Sequence, residues 1–197
     1  MIVSQYFGDS NFYKNIVTKT NVEIALYDTY QKSAHLNRTV LSGANGIIKL
    51  NIPLIGGREQ RLPMSEVRVD LSDNWRKIHH RSLISSYKRS PWFDHFADDL
   101  TDYFKNDFAY LWEWNITSVR WILRRLKFDL QVEAIFTRQP AESDATNADL
   151  LGASNDAQVR PYPQVFEDRF GFIPGLSILD TLFCLGPKST REYITSG

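Results

Sequence analysis

The apolar residues of this chain change period near Ser72. Before it they fall in short runs: IVSQY at 2–6, NVEIALY at 21–27, IIKLNIPL at 47–54 and the alternating EVRVDL at 66–71. After it a stripe recurs at three and four residues, through Trp75, Ile78, His79, Ser82, Leu83 and Ser86. Alternation suits a strand with one buried face, and the three-and-four spacing suits a helix. A chain that carries both must build a sheet and lay helices on it.

The opening reads β-α-β, the arrangement that produces a parallel sheet. Ile2 to Tyr6 is the first apolar run, broken by Gly8. Asp9 or Ser10 is positioned to cap a helix beginning near Asn11, with Phe12, Ile16 and Val17 inward. Asn21 to Tyr27 is the next strand. Thr39–Leu41 and Ile47–Leu54 flank SGANG, whose Gly and Asn permit the backbone reversal of a hairpin. Pro53 ends its second arm. IGGREQRLP is a loop, and Glu66 to Leu71 is a further strand. Ser72 or Asp73 caps the first of three amphipathic helices. Pro91 starts the second, which carries Phe93, Phe96, Ala97, Leu100 and Phe104 inward. The third runs from about Asp107 to Leu126, and Leu130–Phe136 is a last strand.

The fold expected is therefore α/β: a single domain over residues 1–197. It has a mixed or mostly parallel sheet with an inserted hairpin, followed by a helical segment packed on the sheet. Residues 139–160 are polar and small and have too little apolar area to offset the entropy of ordering, so they read as a flexible loop. The tail from Tyr162 recovers aromatic content. Leu176–Leu185 reads as a helix stopped by Gly186-Pro187, with a short helix after it.

Lysine plus arginine equals aspartate plus glutamate, giving a net formal charge of zero. A general nucleic-acid partner is not expected, because it calls for a basic excess that displaces counterions. The one cysteine, Cys184, lies in the apolar run LDTLFCLG, which excludes an intramolecular disulfide and reads as a buried small hydrophobe. No apolar run reaches the roughly 18 residues of a membrane span. No leader peptide is visible at MIVSQYFGDSNFYK, so a soluble cytoplasmic protein is expected. The sequence specifies neither an oligomeric state nor a cofactor.

Two groups of residues carry potential chemistry. Gln31, Lys32, Asn37 and Arg38 follow the second strand, and ligands of open parallel sheets bind beyond the carboxyl ends of strands. Lys32 and Arg38 suit a phosphate or carboxylate, Arg38 through a bidentate fork, while Gln31 and Asn37 suit sugar hydroxyls or an amide. Read blandly, the same stretch is a solvated linker. The second group opens a helix: Trp75 and His79 share a face, Lys77 points elsewhere, and His79 is a candidate general base. Tyr87 follows as a hydroxyl donor. His79 and His80 are adjacent and cannot share a helix face, so no metal site is expected. The chain has no dinucleotide glycine motif, phosphate-loop lysine, G-x-S-x-G or H-E-x-x-H.

Four stretches taken together resemble the WbqC-like family of bacteria. They are YDTYQKSAHLNRTVLSGANGIIKLNIPL, DNWRKIHHRSLISSYKRSPWF, FAYLWEWN and YPQVFEDRFGFIPGLSILDTLFCLGP. Gln31-Lys32 and Asn37-Arg38 match the family's Gln/Thr-Lys and Asn-Arg pairs. Trp75, Lys77 and His79 match its W-x-K-x-H pattern, and Tyr87 and Pro91 match the Tyr and Pro that follow. The chain departs from the family at His80, where a Trp is usual, and at Gln5-Tyr6-Phe7-Gly8-Asp9, where the family tends to a Pro-rich opening. The resemblance implies a link to O-antigen or surface polysaccharide synthesis. The expectation is a transferase acting on a nucleotide sugar or polysaccharide precursor, for instance by aminoacyl or acyl transfer. In that reading His79 is the catalytic base, and Gln31, Lys32, Asn37, Arg38, Trp75, Lys77 and Tyr87 contact a small-molecule or sugar-phosphate ligand. The alternative expectation is a carbohydrate or nucleotide-sugar binding protein without catalysis.

Overall fold

A computed structural model describes residues 2–34, 36–57, 59–137 and 160–196. The expected loop at 139–160 lies almost wholly outside them. The fold is α/β, as the pattern of periods implies. It consists of α1 (Ser10–Val17), β1 (Val22–Ala25), β2 (Arg38–Gly43), β3 (Gly46–Asn51), α2 (Trp75–Tyr87), α3 (Ala97–Phe104), α4 (Leu111–Arg125), β4 (Val132–Ile135), α5 (Glu167–Phe170) and α6 (Ile178–Thr195).

The β-α-β opening is present in reduced form. Ile2 forms a single parallel bridge to Ile24, and β1 pairs in parallel with β4, Val22 opposite Val132. Asp9 caps α1 by accepting a 2.9 Å hydrogen bond from the Phe12 amide. The hairpin is antiparallel, with Gly43 opposite Gly46 and Arg38 opposite Asn51. Gly46 carries the positive φ, 107°, that closes its turn.

Three expected elements are corrected. Glu66–Leu71 is not a regular strand. Pro63 leads into a 3-10 turn over Met64–Glu66, and only isolated bridges follow, Leu54 to Val69 and Arg68 to Tyr110. The alternation survives without the ladder: Val67 and Val69 are buried and Arg68 is exposed. Pro91 does not start a helix, because the next amide, Trp92, is drawn 3.0 Å onto the Phe183 carbonyl. A 3-10 turn at Phe93–His95 intervenes before α3. The helix expected from Asp107 begins at Leu111, since Tyr110 is extended and its amide is taken by Glu113 Oε2 at 3.0 Å.

One hydrophobic core links every layer. Trp114, Tyr6, Tyr13, Tyr87, Phe7 and Phe183 are its largest fully buried side chains. Helix α1 packs on α6, and α2 packs on α3 and β2. Helix α6 is two helical pieces in line, broken at Gly186 (φ 79°, ψ 172°) ahead of Pro187. Because α2 lies across β2, its first two turns face the open end of the hairpin. Its last turn faces α6.

Candidate functional site

Residues 36–38 leave the loop and enter the hairpin, and each side chain there is fixed by the backbone opposite it. Asn37 is buried. Its amide donates to the Ile52 carbonyl at 2.7 Å and accepts from the Tyr30 hydroxyl at 3.2 Å. Asn37 thus staples the hairpin's base. Arg38 is half-buried, and its Nε donates to Asn51 Oδ1 at 3.0 Å, the partner that strand register dictates. Among the described residues no carboxylate is ion-paired with this guanidinium.

His79 sits beneath this corner, 2% exposed. The Tyr6 hydroxyl lies 3.0 Å from Nδ1, and the Asn51 backbone carbonyl faces the ring as well. Either of the two atoms can donate in the Tyr6–His79 pair, according to the ring tautomer. Burial pushes the His79 pKa down to about 4, against a smaller upward pull from the Asn51 carbonyl, so the ring is neutral near pH 7. Trp75, one turn before, stands edge-on to His79 with centroids 5.0 Å apart and to Trp114 at 4.8 Å. Its indole Nε1 is enclosed and makes no hydrogen bond. Tyr6 adjoins Phe7, a buried aromatic held at φ 44°. That conformation costs a non-glycine residue on the order of 1–3 kcal/mol. It is held by the Thr39 and Ser177 hydroxyls, which donate to the Phe7 carbonyl at 3.1 and 2.8 Å.

The other candidates fall elsewhere. Gln31 and Lys32 are exposed at the 3-10 turn Lys32–Ala34, where Lys32 is paired with Glu59 at 2.7 Å. Lys77 lies on the outer face of α2. It lines a surface cavity of about 390 Å³ with Arg76, His80 and Lys105. Tyr87 is two turns beyond His79, roughly 12 Å along the helix at 1.5 Å per residue. Its hydroxyl accepts from the Ser42 amide at 3.4 Å and faces Asp180 of α6. Asn51 is the link between the two groups: its side chain meets Arg38 and its backbone carbonyl faces His79, which Trp75 adjoins. The structure places Lys32, Lys77 and Tyr87 in three other surroundings.

Sequence reading missed Asn51 and Tyr6, which orient the cluster. Asn51 is recoverable from the exact hairpin register. Tyr6 is not, because its contact with His79 spans 73 residues. A third omission is Asp180, fully buried in α6. Tyr162 donates to its Oδ2 at 2.8 Å, and Tyr87 and Gln164 lie against the same carboxylate, while Oδ1 completes no hydrogen bond. Burial raises its pKa to about 6.

Among the described residues no cluster of three His, Cys, Asp or Glu side chains is placed to hold a metal ion. No described helix is long and apolar enough to cross a membrane. No curated protein and no solved structure matches the chain. The model of the WbqC-like protein family matches residues 11–155. That range takes in the hairpin and the Trp75–His79 helix and ends before the tail from Tyr162. The chain belongs to the WbqC-like protein family.

Proposed function

We propose that this protein binds an anionic, sugar-like ligand, a nucleotide sugar or a precursor of bacterial surface polysaccharide such as O-antigen, with Arg38 as the anchor. The observation that carries the reading is the Arg38 guanidinium, oriented by Asn51 and without a carboxylate partner among the described residues. A fixed guanidinium with free N–H groups is suited to a phosphate or carboxylate by a bidentate fork. Asn37 acts through the backbone it staples.

Transfer of an acyl or aminoacyl group is the second reading. One observation favours it: His79 has an orienting partner on each side, as a general base requires. Two weigh against it. Nδ1 is engaged by the Tyr6 hydroxyl, and a pKa near 4 gives little drive to take a proton from a hydroxyl or amine. Binding is therefore the preferred reading, with His79 supporting the Arg38 corner.

The test begins with thermal-shift screening against nucleotide sugars, including UDP-N-acetylglucosamine, followed by titration calorimetry. Incubation with acyl and aminoacyl donors and mass detection of products completes it. Saturable binding that depends on Arg38, with no product, is the result expected. Product formation abolished by His79→Gln would establish the transferase reading instead. Failure of every nucleotide sugar to bind would end the first.

A further inference from the structure

At the far end of α2 from His79, residues 163–169 pass over the hairpin turn and close one wall of a second cavity. It measures about 440 Å³, within the roughly 300–1,000 Å³ of small-molecule sites. Arg89 and Pro91, just beyond α2, and Cys184 of α6 also line it. None of the residues 163–169 falls within the family match, which ends at 155.

The wall is built rather than loosely draped. Gln164, buried, donates to the Ile173 carbonyl at 2.9 Å and accepts from the Ile173 amide at 2.8 Å. The neighbouring Tyr162 is anchored on Asp180 at 2.8 Å. These bonds fix the residues that face the cavity before any ligand arrives, which lowers the entropic cost of binding.

The lining combines three chemistries. Arg89 is exposed and, among the described residues, has no ion pair. Arg169 is held by donating Nη1 to the Ala44 carbonyl at 2.6 Å, with its guanidinium over the Phe170 ring. Two guanidiniums on one cavity suit a phosphate. Asp168 supplies a carboxylate that accepts from hydroxyls. Phe166 with Pro91 and Pro163 gives flat C–H and ring faces, against which the apolar face of a sugar packs. A plain anion would have no use for the carboxylate, and an aromatic acid would have none for it either.

We propose that this cavity binds a sugar phosphate, with the phosphate on Arg89 and Arg169, the hydroxyls on Asp168 and the ring against Phe166. The proposal rests on the carbohydrate reading above and adds a second site, at the opposite end of α2 from Arg38.

Glucose 1-phosphate is the probe, with glucose and inorganic phosphate as controls, titrated calorimetrically into the full chain. The unmodified protein binds glucose 1-phosphate and prefers it to both controls. Arg89→Ala with Arg169→Ala weakens it at least about ten-fold, one charge-assisted pair being worth that much. Asp168→Asn narrows the preference over inorganic phosphate. All three cavity side chains are exposed, so the fold should survive. If the double variant melts early, Arg89→Ala alone carries the test. Equal affinity for inorganic phosphate, or binding indifferent to every cavity variant, overturns the proposal. Loss of binding only in Arg38→Ala, or binding of UDP-N-acetylglucosamine without glucose 1-phosphate, overturns it and leaves the Arg38 reading standing. Binding of neither ends both.

Discussion

Arg38 and His79 share Asn51 as a partner and have opposite demands. Arg38 gains by staying charged and half-open, held by Asn51. His79 gains by staying neutral and closed. Arg38→Lys keeps the charge but loses the planar fork and the bond to Asn51. Losing such a charge-assisted pair costs on the order of 2 kcal/mol, roughly 30-fold in affinity for an anionic ligand, measured by calorimetry. An unchanged affinity would remove Arg38 as the anchor. His79→Gln retains a donor and an acceptor and should leave that affinity within a few-fold. His79→Ala is different in kind. It strands the Tyr6 hydroxyl inside the core, takes the ring away from the Asn51 carbonyl and opens a cavity beside Trp75. Each unsatisfied group costs about 1–3 kcal/mol, so a loss of roughly 2–5 kcal/mol in urea unfolding is expected. A loss below about 1 kcal/mol would mean that the Tyr6–His79 contact contributes little to the native state.

At the scale of elements, what was legible in the sequence is what depends on near neighbours. The Asp9 cap, the hairpin reversal at Ala44-Asn45 and the break at Gly186 are local chemistry, and each stands where the residues implied. Glu66–Leu71 kept its alternation of burial but not its ladder. Whether a ladder forms depends on which strand lies alongside, and here only single bridges do. The candidate site divides on the same line. Trp75 and His79 share a face by helical spacing alone, and the structure keeps them together. Lys32 was grouped with Arg38 by proximity in sequence, and its nearest charge is Glu59 across the loop. Asp180 gave no sign because nothing in LDTLF tells a buried carboxylate from an exposed one. The break in α6 yields a sharp test. Gly186 has φ 79° and ψ 172°, and an added Cβ would lie 2.3 Å from the Trp92 ring. Gly186→Ala should cost the backbone strain, about 1–3 kcal/mol, and a clash of similar size. Adding Trp92→Ala should relieve the clash and not the strain. Full recovery in the double variant would show that the backbone conformation is free of cost, and no recovery would remove the clash.

For the whole molecule, two buried titrating groups pull stability in opposite directions with pH. His79 has a folded pKa of about 4 against an ordinary 6.5. Between those values the unfolded chain holds more protons, so this contribution is complete above about pH 6.5 and is lost as pH falls towards 4. Asp180 has a folded pKa of about 6 against 3.8, both from burial. There the folded chain holds more protons, so its contribution is complete below about pH 3.8 and is lost as pH rises through 6. Each shift is worth roughly 3 kcal/mol at about 1.4 kcal/mol per pK unit. Over pH 4.5–6.5 the two slopes largely cancel, and the unmodified protein should show a flat profile from this pair. Single variants remove the cancellation. His79→Gln should lose stability relative to the parent as pH rises, on the order of 2 kcal/mol across that window. Asp180→Asn should gain by a similar amount. His80, lowered by burial, and Asp9, raised by it, are common to all three proteins and drop out of the differences. Urea unfolding at pH 4.5 and 6.5 measures this directly. A difference between Asp180→Asn and the parent that does not change with pH would mean that the carboxylate titrates near its ordinary value. Its enclosure by Tyr87, Tyr162 and Gln164 would then have to be satisfied by hydrogen bonds to the ionised form, reversing the account of that end of α6.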